Sequence, residues 1–289
     1  MNELIHWFLC FLIYSFIGWC CETVYCSIGS RHFVNRGFLS GPVCPVYGFG
    51  ALAVILLLEP VKNSLPLVFL LGMVVASALE YVTAWLLEVL FHAKWWDYST
   101  YRFNIHGRVC LRNSLMFGGL AVIAVMGAQP LVDQMLALVP FVAQVVLAAM
   151  LAVYMGCDCA LTVRSILSLS GRLKELQAVA EELYRRGQEY LEQLESQLSQ
   201  ELQERRELSR ENLRERLEEA KARAQAQGWQ LNTGLQEAID RLEQRRDELL
   251  ARNGRIHRRL LEAFPNLRSQ RYPVALERLR RELEERKKK

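Results

Sequence analysis

The sequence predicts an all-α membrane protein, in which a polytopic bundle of about five spanning helices precedes a cytoplasmic coiled-coil or helical-hairpin tail. The first observation is the distribution of charge: residues 1–163 hold 7 Lys and Arg and 8 Asp and Glu, whereas residues 164–289 hold 28 and 23. The second is hydropathy, because the charge-poor part contains apolar runs near the roughly 20 residues that a spanning helix needs. We therefore divide the chain into a transmembrane domain, residues 1–165, and a charged tail, residues 166–289.

Five apolar runs predict the spans. They lie near residues 4–26, 43–59, 65–91, 113–130 and 136–163. The segment MNELIHWF at the start of the first run lacks the Lys or Arg of a signal peptide, and no small-residue cleavage pattern follows it. We interpret this run as a retained span.

Basic residues predict the orientation of the bundle, since cytoplasmic loops carry an excess of Lys and Arg. Arg31 and Arg36 follow the first span, and four more basic residues follow the third: Lys94, Arg102, Arg108 and Arg112. The loop between the second and third spans offers only Lys62. We therefore expect a multi-pass protein of the cell membrane, embedded in the lipid bilayer, with loops 27–50 and 92–112 and the tail in the cytoplasm and the amino terminus outside.

Three glutamates fall inside predicted spans, and an unpaired carboxylate in hydrocarbon is costly. The arginines of the two cytoplasmic loops are the cations at the same depth, so we predict a cytoplasm-facing polar pocket that binds or passes a small polar or anionic ligand or a lipid headgroup. Its candidate ligand-binding residues are Glu22, Asn35, Arg36, Glu80, Glu88, Trp95, Trp96, Asp97, Tyr98, Asn104 and Arg108. Two alternatives stay open: fixed ion pairs that hold the helices together, and an aromatic belt at the membrane interface.

The loop RHFVNRGFLSGPVCPVYGFG, residues 31–50, contains four glycines and two prolines. This composition prevents one regular helix and predicts backbone bends that pack against protein or enter the membrane as a re-entrant segment. The alternative is a connecting turn followed by a short helix.

Four motifs in the first half carry a resemblance to a known family. They are GWCCETVY at 18–25, NRGFLSGPVCPVYGFG at 35–50, LEYVTAWLLEVLFHAKWWDYS at 79–99 and NIHGRVCLRNSLMFG at 104–118. In this order they resemble the putative ABC-transporter type IV, or CmpB-like permease, family of bacterial membrane proteins, over roughly residues 4–165. The resemblance implies a permease. It also implies that certain residues are important for function. These are the loop residues Gly37, Gly41, Pro42, Pro45, Gly48 and Gly107, together with Tyr47, Ser99 and most of the pocket candidates.

The tail begins with small and apolar residues whose spacings alternate between three and four, which is typical of one seam of a helix. The seam consists of Leu173, Leu176, Ala180, Leu183, Gly187, Tyr190 and Leu194. Breaks are expected near residues 228, 253 and 265–273, with a second helix over 235–251. The tail is either a solvated hairpin or, through residues 171–226, a coiled coil that forms a homo-oligomer or binds a protein partner. Its charge is too mixed to predict nucleic-acid binding.

Familiar catalytic motifs are missing from the sequence. It has no G-x-x-x-x-G-K-[ST], so a permease of this kind would need a separate ATPase subunit. It has no H-E-x-x-H and no G-x-S-x-G, and thiols in apolar runs usually pack rather than bind metal. We predict neither a cofactor nor a metal site. Two function classes are favoured over an enzyme: a permease or ligand-handling module, and a membrane-anchored scaffold that recruits partners through its tail.

Overall fold

The computed structural model describes residues 2–197, 219, 222, 233–251 and 255–288. The chain forms two units. The first consists of Met1–Leu169 with Gly254–Pro273, and the second of Ser170–Asn253 with Val274–Lys289. The segment 254–273, which we call the returning segment, therefore belongs with the apolar helices of the first unit, an association that the sequence did not predict.

Helices account for nearly all of the regular structure in the described residues. They are α1 Asn2–Ser30, α2 Pro45–Leu58, α3 Leu65–Phe91, α4 Leu111–Val122, α5 Gln129–Ala137, α6 Phe141–Gln197, α7 Thr233–Ala251, α8 Arg255–Ala263 and α9 Pro273–Lys288. A 3₁₀ turn, Glu59–Val61, follows α2, and a π-helical segment, Ile123–Ala128, joins α4 to α5. The strands are β1 Ala93–Lys94, β2 Asn104–Ile105, β3 Val109–Cys110 and β4 Arg268–Ser269.

Four helical stretches in the described residues are long and apolar enough to cross a membrane. They are Glu3–Gly29, Leu65–Phe91, Leu111–Ala137 and Phe141–Glu192. The predicted second span is a shorter apolar helix, Pro45–Val61. It starts with a proline, which suits the first turn of a helix, and a second proline lies in its final 3₁₀ turn. The predicted fold class, an all-α protein with membrane-spanning helices, is confirmed.

Glycine allows α3 and α4 to pack closely. A methyl group at Gly118 of α4 would come 2.9 Å from the Phe69 ring and from its carbonyl oxygen. A methyl group at Gly72 of α3 would collide with the Ala121 side chain of α4. Small residues of this kind let helix backbones approach, which is how helices associate where lipid removes the hydrophobic driving force.

The core of the first unit lies where α1, α2 and α3 meet the stretch from α4 to α5. Cys10 of α1, Leu58 of α2 and Val68 of α3 are at most 1% exposed, and Val132 of α5 is 5% exposed. Many other apolar side chains of these helices face outward, as expected for a surface that contacts lipid.

Two short strand pairs fix the loop between α3 and α4. β2 pairs antiparallel with β3, with Asn104 opposite Cys110. β1 pairs antiparallel with β4 of the returning segment, with Ala93 opposite Ser269. Backbone hydrogen bonds therefore hold residues 92–110 in one shape and attach the returning segment to them.

In the second unit, the carboxy-terminal part of α6 packs beside α7. Arg245 Nη2 of α7 lies 2.5 Å from Glu175 Oε1 of α6, and Arg172 Nη2 of α6 donates to the Leu249 carbonyl oxygen at 2.7 Å. Within the predicted seam, Leu173, Leu176, Gly187 and Tyr190 are buried, and Ala180 and Leu183 are partly buried. The predicted break near residue 228 and the break near residue 253 lie outside the described residues.

Candidate functional site

Glu22 of α1 is held by side chains from the loop that follows it and from α2. The Tyr47 hydroxyl donates to Glu22 Oε1 at 2.5 Å, and Arg36 Nε lies 3.6 Å from Glu22 Oε2. A partly buried carboxylate with both a hydrogen-bond donor and a cation is far less costly than an isolated one.

Glu80 of α3 is satisfied on one oxygen only. The Tyr98 hydroxyl lies 3.4 Å from Glu80 Oε1, whereas Glu80 Oε2 is buried and has no hydrogen-bond partner among the residues that the structure describes. Burial raises the pKa of Tyr98, and the negative charges of Glu80 and Glu22 raise it further. Glu22, Tyr47, Glu80 and Tyr98, which we call the carboxylate–tyrosine cluster, therefore lie close enough to interact.

Glu88, near the end of α3, forms a separate ion pair with Arg108. The guanidinium donates to Glu88 Oε2 from Nε at 3.0 Å and from Nη2 at 2.5 Å, and Lys94 Nζ lies 3.9 Å from Glu88 Oε1. Tyr81 accepts from Arg108 Nη1 at 2.9 Å, and its ring lies under the guanidinium. Arg108 is therefore bound by one carboxylate, one phenol hydroxyl and the face of one aromatic ring.

A comparison with known families identifies the first unit. The family model described as putative ABC-transporter type IV matches residues 9–163, which is more than half of the chain. The chain belongs to the putative ABC-transporter type IV family. No curated protein and no solved structure matches it. The resemblance seen in the sequence is thereby confirmed, and the matched region contains Glu22, Glu80 and Glu88.

In this type IV family member, the first loop, residues 31–44, is shaped by its own polar groups. Asn35 Oδ1 accepts from Trp19 Nε1 at 2.7 Å and from the Gly37 amide at 3.2 Å, and Asn35 Nδ2 donates to the Ser40 carbonyl oxygen at 2.9 Å. Asn35, predicted as a pocket residue, therefore makes contacts that shape the loop. Of the two predicted loop prolines, Pro42 lies in this loop and Pro45 begins α2.

Asp158 of α6 anchors the turn at Ser40 and Gly41. Its carboxylate accepts from the Ser40 amide at 3.1 Å and from the Gly41 amide at 2.8 Å. A side chain at Gly41 would collide with the Tyr154 hydroxyl and crowd Asp158, so the absence of a side chain is what allows this approach. The sequence did not single out Asp158 for this role, because a lone aspartate in an apolar helix does not reveal which loop it faces.

The second loop is also built around side-chain to backbone hydrogen bonds. The Gly107 amide donates to Asn104 Oδ1 at 3.0 Å, and Trp96 Nε1 donates to the Arg108 carbonyl oxygen at 3.0 Å. Gly107 has a φ of +69°, and a Cβ there would lie 2.7 Å from Asp97 Oδ1. Asn104 and Gly107 thus form the turn that presents Arg108 to Glu88.

The returning segment makes a set of contacts that the sequence did not predict. Arg259 of α8 donates to the carbonyl oxygens of Gly37 and Leu39 at 2.8 Å and of Phe38 at 3.0 Å. Burial lowers the pKa of Arg259, and the charge of Asp158 opposes this shift. The segment AFPNLRSQRYP, residues 263–273, predicted only a break between helices. Its contacts with the two loops could not be predicted from the sequence.

Three further contacts tie the returning segment to predicted pocket residues. Arg36 donates to the Ala263 carbonyl oxygen, and Arg268 Nη1 lies 3.2 Å from Asp97 Oδ2. Trp95 is 5% exposed and packs edge to face on Phe264. Arg36, Trp95 and Asp97 are therefore partly or wholly covered by protein.

The structure thus brings the pocket candidates together in pairs and small groups. It joins Glu22 to Arg36 and Glu88 to Arg108. Among the described residues, Arg31 and Arg112 form no ion pair with any of the three glutamates, although both are basic residues of the same loops.

Proposed function

We propose that this chain is the membrane-embedded permease component of an ABC-type transport system and that the carboxylate–tyrosine cluster binds a small polar ligand on the cytoplasmic side. The observation that carries the proposal is the buried, unpartnered Oε2 of Glu80. An ionisable group at membrane depth with an unsatisfied oxygen is a candidate functional group, because a purely structural glutamate would be expected to be paired.

The chemistry of the cluster favours a ligand that donates hydrogen bonds. Arg36 and Arg108 already have carboxylate partners, so an anion would have to compete with Glu22 or Glu88 for them. Glu80 Oε2, by contrast, offers an unused acceptor, and the Glu22 charge acts on the same carboxylate. Of the polar, anionic and lipid-headgroup ligands that the sequence suggested, an ammonium or hydroxyl group, on a solute or on a lipid headgroup, agrees best with this arrangement.

The proposal includes the orientation of the protein in the membrane and its ATPase partner. The positive-inside rule puts both structured loops and the tail in the cytoplasm and the amino terminus outside. The family description supports a membrane location and a separate ATPase subunit, and the missing nucleotide-binding motif requires that subunit if transport is powered by ATP. Residues 1–165 would then be the transmembrane domain and residues 166–289 its cytoplasmic extension.

The alternative function is a membrane-anchored scaffold that oligomerises or recruits partners through residues 171–226. Burial of Leu173 and Leu176, in the part of α6 that runs beside α7, argues for a seam satisfied within one chain. That observation favours the permease hypothesis over the scaffold.

The test is purification of the full-length protein from its native membrane in mild detergent, followed by native mass spectrometry. We expect a retained amine- or hydroxyl-bearing molecule in the wild type and its loss in Glu80→Gln. The matched control is Glu59→Gln, the same change in an exposed ion pair with Lys62. Retention of the same molecule by Glu80→Gln would overturn the ligand site, and co-purification of only soluble partners, lost on truncation at residue 171, would favour the scaffold.

A further inference from the structure

A second group of polar side chains lies at the amino-terminal end of α1, far along the helix from Glu22. His6 and Cys10 of α1 share one helical face, since residues four apart stack, and Asp133 of α5 faces them. One ligand atom from each of the three lies within 4.8 Å of the other two. The carboxylate–tyrosine cluster uses none of these residues.

The two separations measured from His6 Nε2 fit the ligand positions around a tetrahedral metal ion. His6 Nε2 lies 3.1 Å from Asp133 Oδ1 and 3.6 Å from Cys10 Sγ. Bond lengths of about 2.0–2.1 Å to nitrogen and oxygen and about 2.3 Å to sulfur put tetrahedral ligands about 3.3 Å apart for a nitrogen–oxygen pair and about 3.6 Å apart for a nitrogen–sulfur pair. The side chains would need little movement to take an ion between them.

Two buried residues orient these donors from behind. Gln129 Nε2 donates to Asp133 Oδ1 at 2.7 Å and lies 3.8 Å from Cys10 Sγ, and the Tyr14 hydroxyl donates to Gln129 Oε1 at 3.0 Å. Tyr14 and Gln129 are both buried. Outer hydrogen bonds of this kind fix the direction of metal ligands and tune their affinity.

We propose that His6, Cys10 and Asp133 form a binding site for a borderline-soft divalent cation of the Zn²⁺ type. A thiolate, a carboxylate and a neutral imidazole carry two negative charges, which one divalent ion neutralises. Cys10 is 0% exposed, whereas 48% of the Asp133 side chain is exposed, so protein encloses the site on the Cys10 side and leaves it uncovered on the Asp133 side. Three protein ligands leave a fourth position for water or a solute, as in zinc sites that exchange ligands. The thiolate disfavours Mg²⁺ and Ca²⁺, which prefer oxygen ligands. This site is independent of the proposed permease function.

The experiment is a Co²⁺ titration of the metal-stripped, full-length protein in detergent, followed by competition with Zn²⁺. We expect one Co²⁺ per chain with tetrahedral d–d bands and a sulfur-to-cobalt charge-transfer band, displaced by Zn²⁺ but not by Mg²⁺ or Ca²⁺. Cys10→Ser should abolish the charge-transfer band, and Asp133→Asn should weaken Zn²⁺ binding at least tenfold. Gln129→Leu should weaken it about tenfold, the usual effect of losing an outer hydrogen bond.

Two further variants keep the result interpretable. Cys159→Ser changes an exposed thiol elsewhere and should leave the titration unchanged. His6→Asn alters a partly exposed side chain, so it reports on the site even if replacing the buried Cys10 prevents folding. A charge-transfer band that survives in both Cys10→Ser and His6→Asn, or the absence of saturable binding in the wild type, would overturn the proposal.

Discussion

Trp95 and Phe264 pack edge to face, with their ring centroids 4.9 Å apart. Phe38 and Phe91 pack against the same indole, with centroids 5.2 and 6.1 Å from it. One tryptophan of the second loop therefore joins the first loop, the end of α3 and the returning segment into one aromatic group. Edge-to-face pairs of this kind add to the stability gained from burial alone.

Loss of the Phe264 ring should detach the returning segment. Phe264→Ala removes a buried aromatic side chain, a change that typically costs about 3–5 kcal/mol in a core. We expect faster tryptic cleavage after Arg268 and Arg271 in the full-length protein, followed by mass spectrometry of the fragments. Phe33→Ala, at a ring that is 71% exposed, is the control and should cleave at the wild-type rate.

Replacing Arg259 even by another cation should weaken the attachment of the returning segment. Its planar guanidinium reaches three consecutive carbonyl oxygens, whereas a lysine ammonium is a single point of donation. Arg259→Lys should raise the cleavage rate of the returning segment about tenfold, equivalent to about 1.4 kcal/mol. Arg258→Lys, at an exposed pair with Glu262, should have no such effect. Equal rates in the two variants would contradict the role assigned to the guanidinium.

Removing Glu88 should destabilise the first unit, because it leaves Arg108 partly buried without its main counter-charge. Glu88→Gln should lower the free energy of unfolding by about 3 kcal/mol. Glu59→Gln breaks an exposed pair and should cost less than about 1 kcal/mol. Thermal unfolding in the same detergent compares the two, and a similar loss in both would mean that the Glu88–Arg108 pair is energetically a surface pair.

Neighbouring glycines in α4 should respond differently to the same substitution. At Gly118 a methyl group meets Phe69, whereas at Gly119 nothing lies within 4 Å. Gly118→Ala should therefore destabilise by about 1–3 kcal/mol, while Gly119→Ala should be neutral or stabilising, since alanine favours the helix. Unfolding temperatures measured side by side test this, and the opposite order would mean that α3 and α4 are not closely packed at Gly118.

Asp97 sets the pH range over which its ion pair with Arg268 persists. Partial desolvation favours its protonation, but hydrogen bonds from Ser99 and the charges of Lys94 and Arg268 outweigh this and hold its pKa below the ordinary value. A carboxyl with a lowered folded-state pKa contributes stability above the unfolded-state pKa and loses it as pH falls through the folded-state pKa.

Attachment of the returning segment should therefore be constant from neutral pH down to the ordinary aspartate pKa of about 3.9 and weaken only below it. Hydrogen exchange of the β4 amides, measured without pepsin digestion, reports this attachment at each pH. Asp97→Asn should weaken attachment at pH 7 and remove the acid dependence. An acid transition of unchanged size in Asp97→Asn would assign it to another group.

The helices could be predicted from the sequence, but the residues that the loops contact could not. Long apolar runs predicted α1, α3 and the first part of α6 because burial in lipid depends on local composition alone. The second run, predicted over residues 43–59, forms the apolar helix Pro45–Val61, which begins at one proline and has another, Pro60, in its last turn. The π-helical segment was also missed, because nothing in IAVMGA separates it from an ordinary helical turn.

The positions of charged residues predicted only part of the candidate site. Depth along the spans was enough to relate Glu22 and Glu88 to loop arginines, since few cations exist at that level. Sequence could not tell that Asn35 and Asn104 shape the turns, because hydrogen bonds to nearby backbone depend on the exact loop conformation. Contacts with the returning segment could not be predicted for another reason. They join distant parts of the chain, and Arg36 and Arg259 donate to carbonyl oxygens, which every residue type has.

The π-helical segment Ile123–Ala128 has a consequence for how the stretch Leu111–Ala137 tolerates changes in length. A π turn closes its hydrogen bonds one residue later than an α turn, so it accommodates one residue more between the same two flanking faces. Elsewhere in a spanning helix, losing a residue rotates everything beyond it by about 100°. Deletion of Gly127, which has open space around it, would instead let the segment relax to ordinary α-helix while Asp133 kept its direction. The stretch can therefore lose one residue in the π-helical segment without rotating the residues that follow it.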